Sequence, residues 1–90
     1  MNSSIQWPWP RVVFVTAKEP YRLFVRLDDG RELLLDIGPL VERHQSLWRL
    51  RHAQYFQKVQ IDEIGAICWP EGEDIAPEAI ESYILKNESL

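Results

Sequence analysis

The sequence predicts an α+β fold, with a small antiparallel sheet of about five strands, short helical turns in the middle and a C-terminal helix packed on the sheet. Hydrophobic and polar residues alternate along residues 21–28 and 32–37, which is the period of half-buried strands. Asp29-Gly30 lies between these runs and is a hairpin signal. Pro77 followed by Glu78 is typical of the first turn of a helix.

The first strand is predicted to lie within residues 11–18 and to precede the two alternating strands. Strict alternation puts Val12 and Phe14 on one face and Val13, Val15 and Ala17 on the other. On the next two strands the outer positions carry charges of opposite sign, which we expect to pair across the strands: Arg22 and Arg26 against Glu32 and Asp36.

Residues 39–56 follow a Gly-Pro break and predict two short helical turns. Their apolar residues, including Trp48 and Phe56, cannot all lie in strands at this spacing. We expect them to pack under the edge of the sheet, with Ser46 as a candidate cap of the second turn.

Residues 57–69 predict two more strands, joined through Gly65, and Pro70 should end the second of them. The helix predicted over residues 77–86 carries one apolar stripe that must dock on the sheet: Ala76, Ile80, Tyr83 and Ile84.

Length and composition indicate one domain in a soluble globular protein. The chain has 90 residues, of which 46% are hydrophobic and 27% charged. We expect a Trp/Pro tail over residues 1–10, a single α+β domain over residues 11–86 and frayed residues 87–90. The single cysteine and the lack of a long apolar segment favour a cytoplasmic protein with no membrane association.

The net charge of −4 argues against direct nucleic-acid binding, which requires a basic face. Five basic side chains nevertheless cluster in the sequence, and they form either a local patch or a solvated face: Arg43, His44, Arg49, Arg51 and His52.

No motif predicts a catalytic residue, a cofactor or a metal. The glycines are spread through turns rather than packed in a phosphate-binding loop. His44, His52 and Cys68 lack the spacing of paired metal ligands. Cys68 can in principle pair with a histidine as a nucleophile, but its place in a strand favours a small buried hydrophobe.

The acidic loop after Trp69 has two interpretations. Trp69, Glu73 and Asp74 can form a rim that holds a cationic ligand or an arginine of a partner. Alternatively, Asp74 caps the helix or the loop itself, while Glu71 and Glu73 face solvent.

Trp7 and Trp9 lie in a proline-restrained segment that cannot join a central ladder. They must cover an edge or a face of a sheet, either that of their own chain or that of a neighbour. We therefore include them among the candidate interaction residues.

Two sets of residues carry a resemblance to a known family. In the first half of the chain they are the turn Asp28-Asp29-Gly30 and the ending Leu35-Asp36, and in the second half they are Phe56-x-x-Val59-x-Ile61-Asp62-x-x-Gly65-x-Ile67-x-Trp69-Pro70-x-Gly72-x-Asp74-Ile75-x-Pro77-Glu78. Through these residues, the chain over residues 11–83 resembles the bacterial domain of unknown function 2442. Ala76 departs from the Ser or Thr that the family often has before the helix proline, so that helix lacks its usual N-cap.

The resemblance implies a bacterial protein that acts as an antitoxin-like or regulatory partner of another small protein. Some longer relatives add a helix-turn-helix domain, which this chain does not contain, so direct DNA reading is not implied. We expect an interaction module that forms a homo-oligomer or binds a small protein and performs no catalysis. The alternative is a small-ligand-binding domain or small enzyme with a pocket near Trp69, Glu73 and Asp74.

Overall fold

The computed structural model describes residues 10–84 and has an α+β architecture with two antiparallel sheets. The first sheet has the strand order β1-β2-β3, formed by Val12–Lys18, Arg22–Leu27 and Glu32–Asp36. The second has the order β4-β5-β6, formed by Gln60–Ile61, Ile67–Cys68 and Asp74–Ile75. Along the chain, β3 is followed by helix α1 (Gly38–Arg43), a 3₁₀ segment (Gln45–Arg51) and helix α2 (Ala53–Phe56), which precede β4. A second 3₁₀ segment (Pro77–Tyr83) follows β6.

The predicted fold class is confirmed, but the prediction of about five strands in one sheet is wrong. The described residues form six strands in two sheets of three. The chain does not leave the sheet at Pro70, because residues 70–72 form a tight loop and Asp74–Ile75 returns as β6 beside β5.

Three hairpin loops share one backbone pattern. They are residues 28–30, 63–65 and 70–72, and each ends in a glycine with a positive φ of 94°, 83° or 111°. In each loop the glycine N–H donates to the carbonyl of the residue just before the loop. The N–H of that same residue donates to the carbonyl of the residue just after the loop. This is the three-residue hairpin loop in which a glycine occupies the left-handed position. The first loop is therefore one residue longer than the predicted two-residue Asp29-Gly30 turn.

The first sheet has one face in the core, as its alternation predicted. Leu23, Val25 and Leu27 of β2 are buried. On the outer face Arg26 lies opposite Glu32, and their side chains form an exposed ion pair at 3.0 Å. Such an exposed pair contributes about 0.2–1 kcal/mol.

The prediction that Val12 and Phe14 share a face is wrong. Val12 is buried in the core and lies opposite Leu27, whereas Phe14 is exposed and lies opposite Arg26. The register shifts between Val12 and Phe14 because Val13 is an extra residue in β1. A β-bulge of this kind reverses the side-chain alternation beyond it.

The middle segment is helical, but in three short pieces rather than two. Ser46 lies inside the 3₁₀ segment and does not cap it, since that segment begins after His44 without a side-chain cap. Leu50 and Phe56 are buried as predicted, whereas Trp48 is largely exposed, which corrects its predicted place under the sheet.

The C-terminal segment docks on the first sheet as expected, as a 3₁₀ segment rather than an α-helix. Ile80 is buried, and Ile84 forms an isolated bridge with Leu35 of β3. Ala76 precedes the segment without a side-chain cap, so Asp74 does not cap it. Residues 85 and 86 of the predicted helix lie outside the described residues, as do residues 87–90, which were expected to fray.

The two sheets join through the start of β1. The Val12 N–H donates to the Gly65 carbonyl at 3.0 Å, and the Asp28 N–H donates to the Arg11 carbonyl at 2.8 Å. Arg11 therefore lies between a loop of each sheet. Within residues 10–84, no helix has the length and apolar character needed to cross a bilayer.

Candidate functional site

Trp69 follows β5 and is a core residue. Its side chain is 2% exposed, its indole N–H donates to the Phe56 carbonyl at 2.9 Å, and its ring stacks on the Phe56 ring at 5.8 Å. The N–H bond satisfies the one polar group of the buried indole. Trp69 holds α2 against the second sheet and cannot contact a partner from this position, which corrects its predicted place on an exposed rim.

Glu73 is buried beneath the surface rather than facing solvent, with 8% exposure. The 70–72 loop turns its backbone toward Trp69, because the Trp69 N–H donates to the Glu73 carbonyl at 2.9 Å. Its carboxylate then accepts two side-chain hydrogen bonds. Oε1 accepts from the Tyr55 hydroxyl at 2.6 Å, and Oε2 accepts from Arg49 Nη1 at 3.3 Å.

These contacts keep the Glu73 carboxylate ionised. Burial raises the pKa of Glu73, but the hydrogen bonds from Tyr55 and Arg49, together with the Arg49 charge, outweigh burial and lower the pKa below its ordinary value. A carboxylate with both oxygens bound inside the protein has little capacity left for an external cation. The contacts of Glu73 therefore do not support the predicted use of this side chain as the rim of a cation site.

Tyr55 connects the loop to α2. Its hydroxyl donates to Glu73 and accepts from the Glu71 N–H at 2.8 Å. Burial and the hydrogen bond to the Glu73 carboxylate raise the pKa of Tyr55, so the phenol stays protonated. One hydroxyl thus fixes both the backbone and a side chain of the acidic loop.

At the surface, this network continues through Arg49 to the ring of Trp48. Arg49, held at one end by Glu73, places its guanidinium 4.9 Å from the centroid of the Trp48 ring. The His52 ring lies edge-on to the same indole, with centroids 6.0 Å apart. Trp48 nevertheless stays 52% exposed. We refer to Trp48, Arg49 and His52 as the Trp48 surface.

Charge is segregated along the sequence on either side of residue 62. Residues 43–61 contain no Asp or Glu and carry Arg43, Arg49, Arg51 and Lys58 together with both histidines. Residues 62–85 contain no Lys or Arg and carry seven carboxylates. The predicted basic cluster thus flanks an exposed tryptophan in the sequence, and two of its members, Arg49 and His52, contact that tryptophan. This combination is the signal by which the sequence could have indicated the Trp48 surface.

Asp74 is not part of the side-chain hydrogen bonds that hold Trp69 and Glu73. It is exposed on β6 opposite Cys68 and borders a pocket of about 330 Å³ together with Arg11 and Asp62. Cys68 is half-buried on the central strand of the second sheet. Burial and the nearby charges of Asp62 and Asp74 raise the pKa of the Cys68 thiol, which disfavours the reactive thiolate.

The remaining candidate residues, Trp7 and Trp9, lie outside the described residues. Among residues 10–84, no group of three or more His, Cys, Asp or Glu side chains is placed to hold a metal ion.

Comparison with known proteins places the whole described fold in one family. The model of the family described as "Protein of unknown function (DUF2442)" matches residues 12–85. The chain belongs to this family. Neither curated proteins nor solved structures give a significant match. The region matched by the family model includes the Trp48 surface and the buried Glu73 network.

Proposed function

We propose that this DUF2442 member is a protein-interaction module that holds an acidic segment of a partner protein on the Trp48 surface. The observation that carries the proposal is the half-exposed indole of Trp48, which is fixed between Arg49 and His52 while Arg49 is anchored by the buried Glu73.

The fixed geometry supports a binding role because it reduces the entropy lost on association. A free surface arginine or tryptophan must give up rotamers when it binds a partner, at about 0.5–1.5 kcal/mol per side chain. Here the hydrogen bond to Glu73 and the contact with the Trp48 ring already favour one orientation of the Arg49 side chain. Tryptophan and arginine are also the residues that most often dominate the energy of protein interfaces.

The charge pattern favours an acidic partner segment. Residues 43–61 carry four Lys or Arg and no Asp or Glu, so a partner aspartate or glutamate meets a net attraction there even with Arg49 paired to Glu73. A long polyanion is disfavoured, because the seven carboxylates of residues 62–85 belong to the same small domain. This is why the proposal names a protein segment and not a nucleic acid.

In its specific form, the proposal assigns this chain the role of an antitoxin-like or regulatory partner of another small bacterial protein in the cytoplasm. No reaction is assigned to the chain itself. The resemblance noted from the sequence supports this form, and the Trp48 surface supplies a place where such a partner can bind.

The test begins with a photocrosslinking residue, p-benzoylphenylalanine, in place of Trp48 in the native cell. The same residue in place of Gln54, exposed on α2, is the matched control. We expect position 48 to crosslink one protein that position 54 does not. That protein is then purified, and its affinity is measured for the unmodified chain and for Trp48→Ala, Arg49→Gln and Gln45→Ala.

Trp48→Ala should weaken binding by about thirtyfold or more, because truncation of a hot-spot residue costs about 2 kcal/mol or more. Arg49→Gln should weaken it less, and Gln45→Ala, exposed in the same 3₁₀ segment, should leave it unchanged. Equal affinity of all four proteins would remove the Trp48 surface from the interaction. Duplex DNA binding that disappears in Trp48→Ala would reassign the surface to nucleic acid.

A second surface supports self-association through the outer face of the first sheet. Phe14 is 43% exposed there, edge-on to Phe24 at 6.2 Å and 5.5 Å from the Arg26 guanidinium. Light scattering at several concentrations should show a homo-oligomer that dissociates more readily in Phe14→Ser or in Trp7→Ser/Trp9→Ser. An unmodified chain that stays monomeric at high concentration would contradict this proposal.

A further inference from the structure

A cavity of about 210 Å³ opens between the β1–β2 turn and α2. One wall comes from residues 17–21 and the other from residues 51–57. Its lining is mostly apolar, with the methyl groups of Ala17 and Ala53 and the rings of Tyr21 and Phe56. Two alanines at facing positions leave the space that larger side chains would fill.

The backbone that shapes the cavity is itself unusual. Tyr21 has a φ of 100°, a region that a bulky aromatic residue rarely adopts. Its carbonyl accepts the Ile37 N–H at 2.9 Å, and its ring lies edge-on to Phe56 at 6.0 Å, so both ends of the residue are fixed. Backbone strain of this kind is unfavourable and is found preferentially at active sites, ligand clamps and switch regions.

The rim of the cavity favours an anion. Lys18 and Arg51 lie on opposite walls, and the one carboxylate in the lining is Glu19. The rim therefore has an excess of positive charge, although the whole chain has a net charge of −4. All three charged side chains are exposed, so they meet a ligand at the mouth and not on the floor.

The volume of this open cavity limits the size of the group that it can enclose. A closed apolar cavity of about 150 Å³ holds one benzene ring, and drug-sized ligands occupy sites of about 300–1,000 Å³. A volume of about 210 Å³ accommodates one six-membered ring with a small substituent at the mouth.

We propose that this cavity is a binding site for a small aromatic carboxylate, with its ring between Ala17 on one wall and Ala53 and Phe56 on the other, and its carboxylate at Lys18 and Arg51. The site lies on different side chains from the Trp48 surface and does not depend on a partner protein. It also differs from the pocket near Trp69, Glu73 and Asp74 that the sequence suggested.

The test is a titration of the ¹⁵N-labelled full chain with benzoate, phenylacetate and salicylate, followed by amide chemical shifts. We expect at least one of them to cause saturable shifts confined to residues 17–21 and 51–57. The expected Kd is about 1 mM, the range that ligands of this size reach. The neutral isostere benzamide should bind about fivefold more weakly, because it lacks the charge-assisted contacts at the rim.

Three variants distinguish the cavity from the general surface. Ala53→Leu fills the cavity from an exposed position at the start of α2 and should abolish the shifts, whereas Gln54→Leu, on the same helix but outside the lining, should not. Arg51→Gln should weaken carboxylate binding without affecting benzamide. Unchanged melting temperatures show that each variant is folded. No saturable shifts with any of the three carboxylates, or equal binding by Ala53→Leu, would overturn the proposal.

Discussion

Glu73→Gln removes the charge at the centre of the network that fixes the Trp48 surface. Hydrogen bonds to charged groups contribute about 1.5–3 kcal/mol each when buried, and the 2.6 Å bond from Tyr55 is of this type. Glutamine retains one oxygen acceptor, so part of this contribution survives. The contact to Arg49 adds little, because Arg49 is partly exposed. We expect the free energy of unfolding to fall by about 1–2 kcal/mol.

The effect should depend on pH with a defined sign. Because folding lowers the pKa of Glu73, the unfolded chain takes up this proton first as the pH falls. The stability that the ionised carboxylate contributes is fully present above its unfolded pKa, near 4.3, and is lost as the pH falls through the folded pKa. The unmodified chain and Glu73→Gln should therefore differ most near neutral pH and converge in acid.

Urea denaturation followed by circular dichroism, repeated from neutral to acidic pH, measures this difference. Glu71→Gln is the matched control, since Glu71 is an exposed carboxylate in the same acidic loop. Its free energy of unfolding should stay within about 0.5 kcal/mol of the original. Equal stability of Glu73→Gln and Glu71→Gln at neutral pH, or a difference that does not shrink in acid, would refute the role assigned to Glu73.

Three further predictions, tested with four substitutions, follow from the packing. Gly65→Ala should destabilise the fold by about 2–4 kcal/mol in urea denaturation, because the added methyl adds a clash with Arg11 to the positive-φ strain. Gly30→Ala, which meets open space, should cost only about 1 kcal/mol, and equal costs would contradict this account. The Cys68 thiol should react slowly with a bulky alkylating reagent in the native chain, and Cys68→Ala should lower stability by about 1 kcal/mol; rapid labelling would show that the thiol is accessible. Trp69→Phe should lower the melting temperature by several degrees through the lost indole hydrogen bond, and an unchanged value in calorimetry would contradict it.

The first sheet was predictable because its strands are long enough to show a period. Residues 22–27 and 32–36 each give several alternations, and the register follows from them. The bulge at Val13 was not predictable, since an extra residue in a hydrophobic run leaves no mark in the pattern. The second sheet has strands of two residues, too short for any period, so the third hairpin was visible only through Gly72.

The candidate site was predicted in its parts and not in its arrangement. The sequence indicated Glu73 as a candidate interaction residue and the basic cluster as a possible surface patch. It did not show that Arg49 reaches Glu73 across 24 positions or that Trp48 remains outside the core. Tertiary packing decides which of several tryptophans is buried. Here Trp69 is buried, and the Phe56 carbonyl accepts its indole N–H.

The three glycine loops have the same backbone but different neighbours, and this difference sets where the chain tolerates alteration. The 63–65 loop abuts Arg11, and the 70–72 loop is held by Tyr55 through the Glu71 N–H. At the tip of the 28–30 loop, a side chain built on Gly30 would meet nothing within 4 Å. An epitope tag, a fluorophore or new chain termini should therefore be placed between Asp29 and Gly30, beyond Asp28, whose N–H donates to the Arg11 carbonyl at the joint between the sheets.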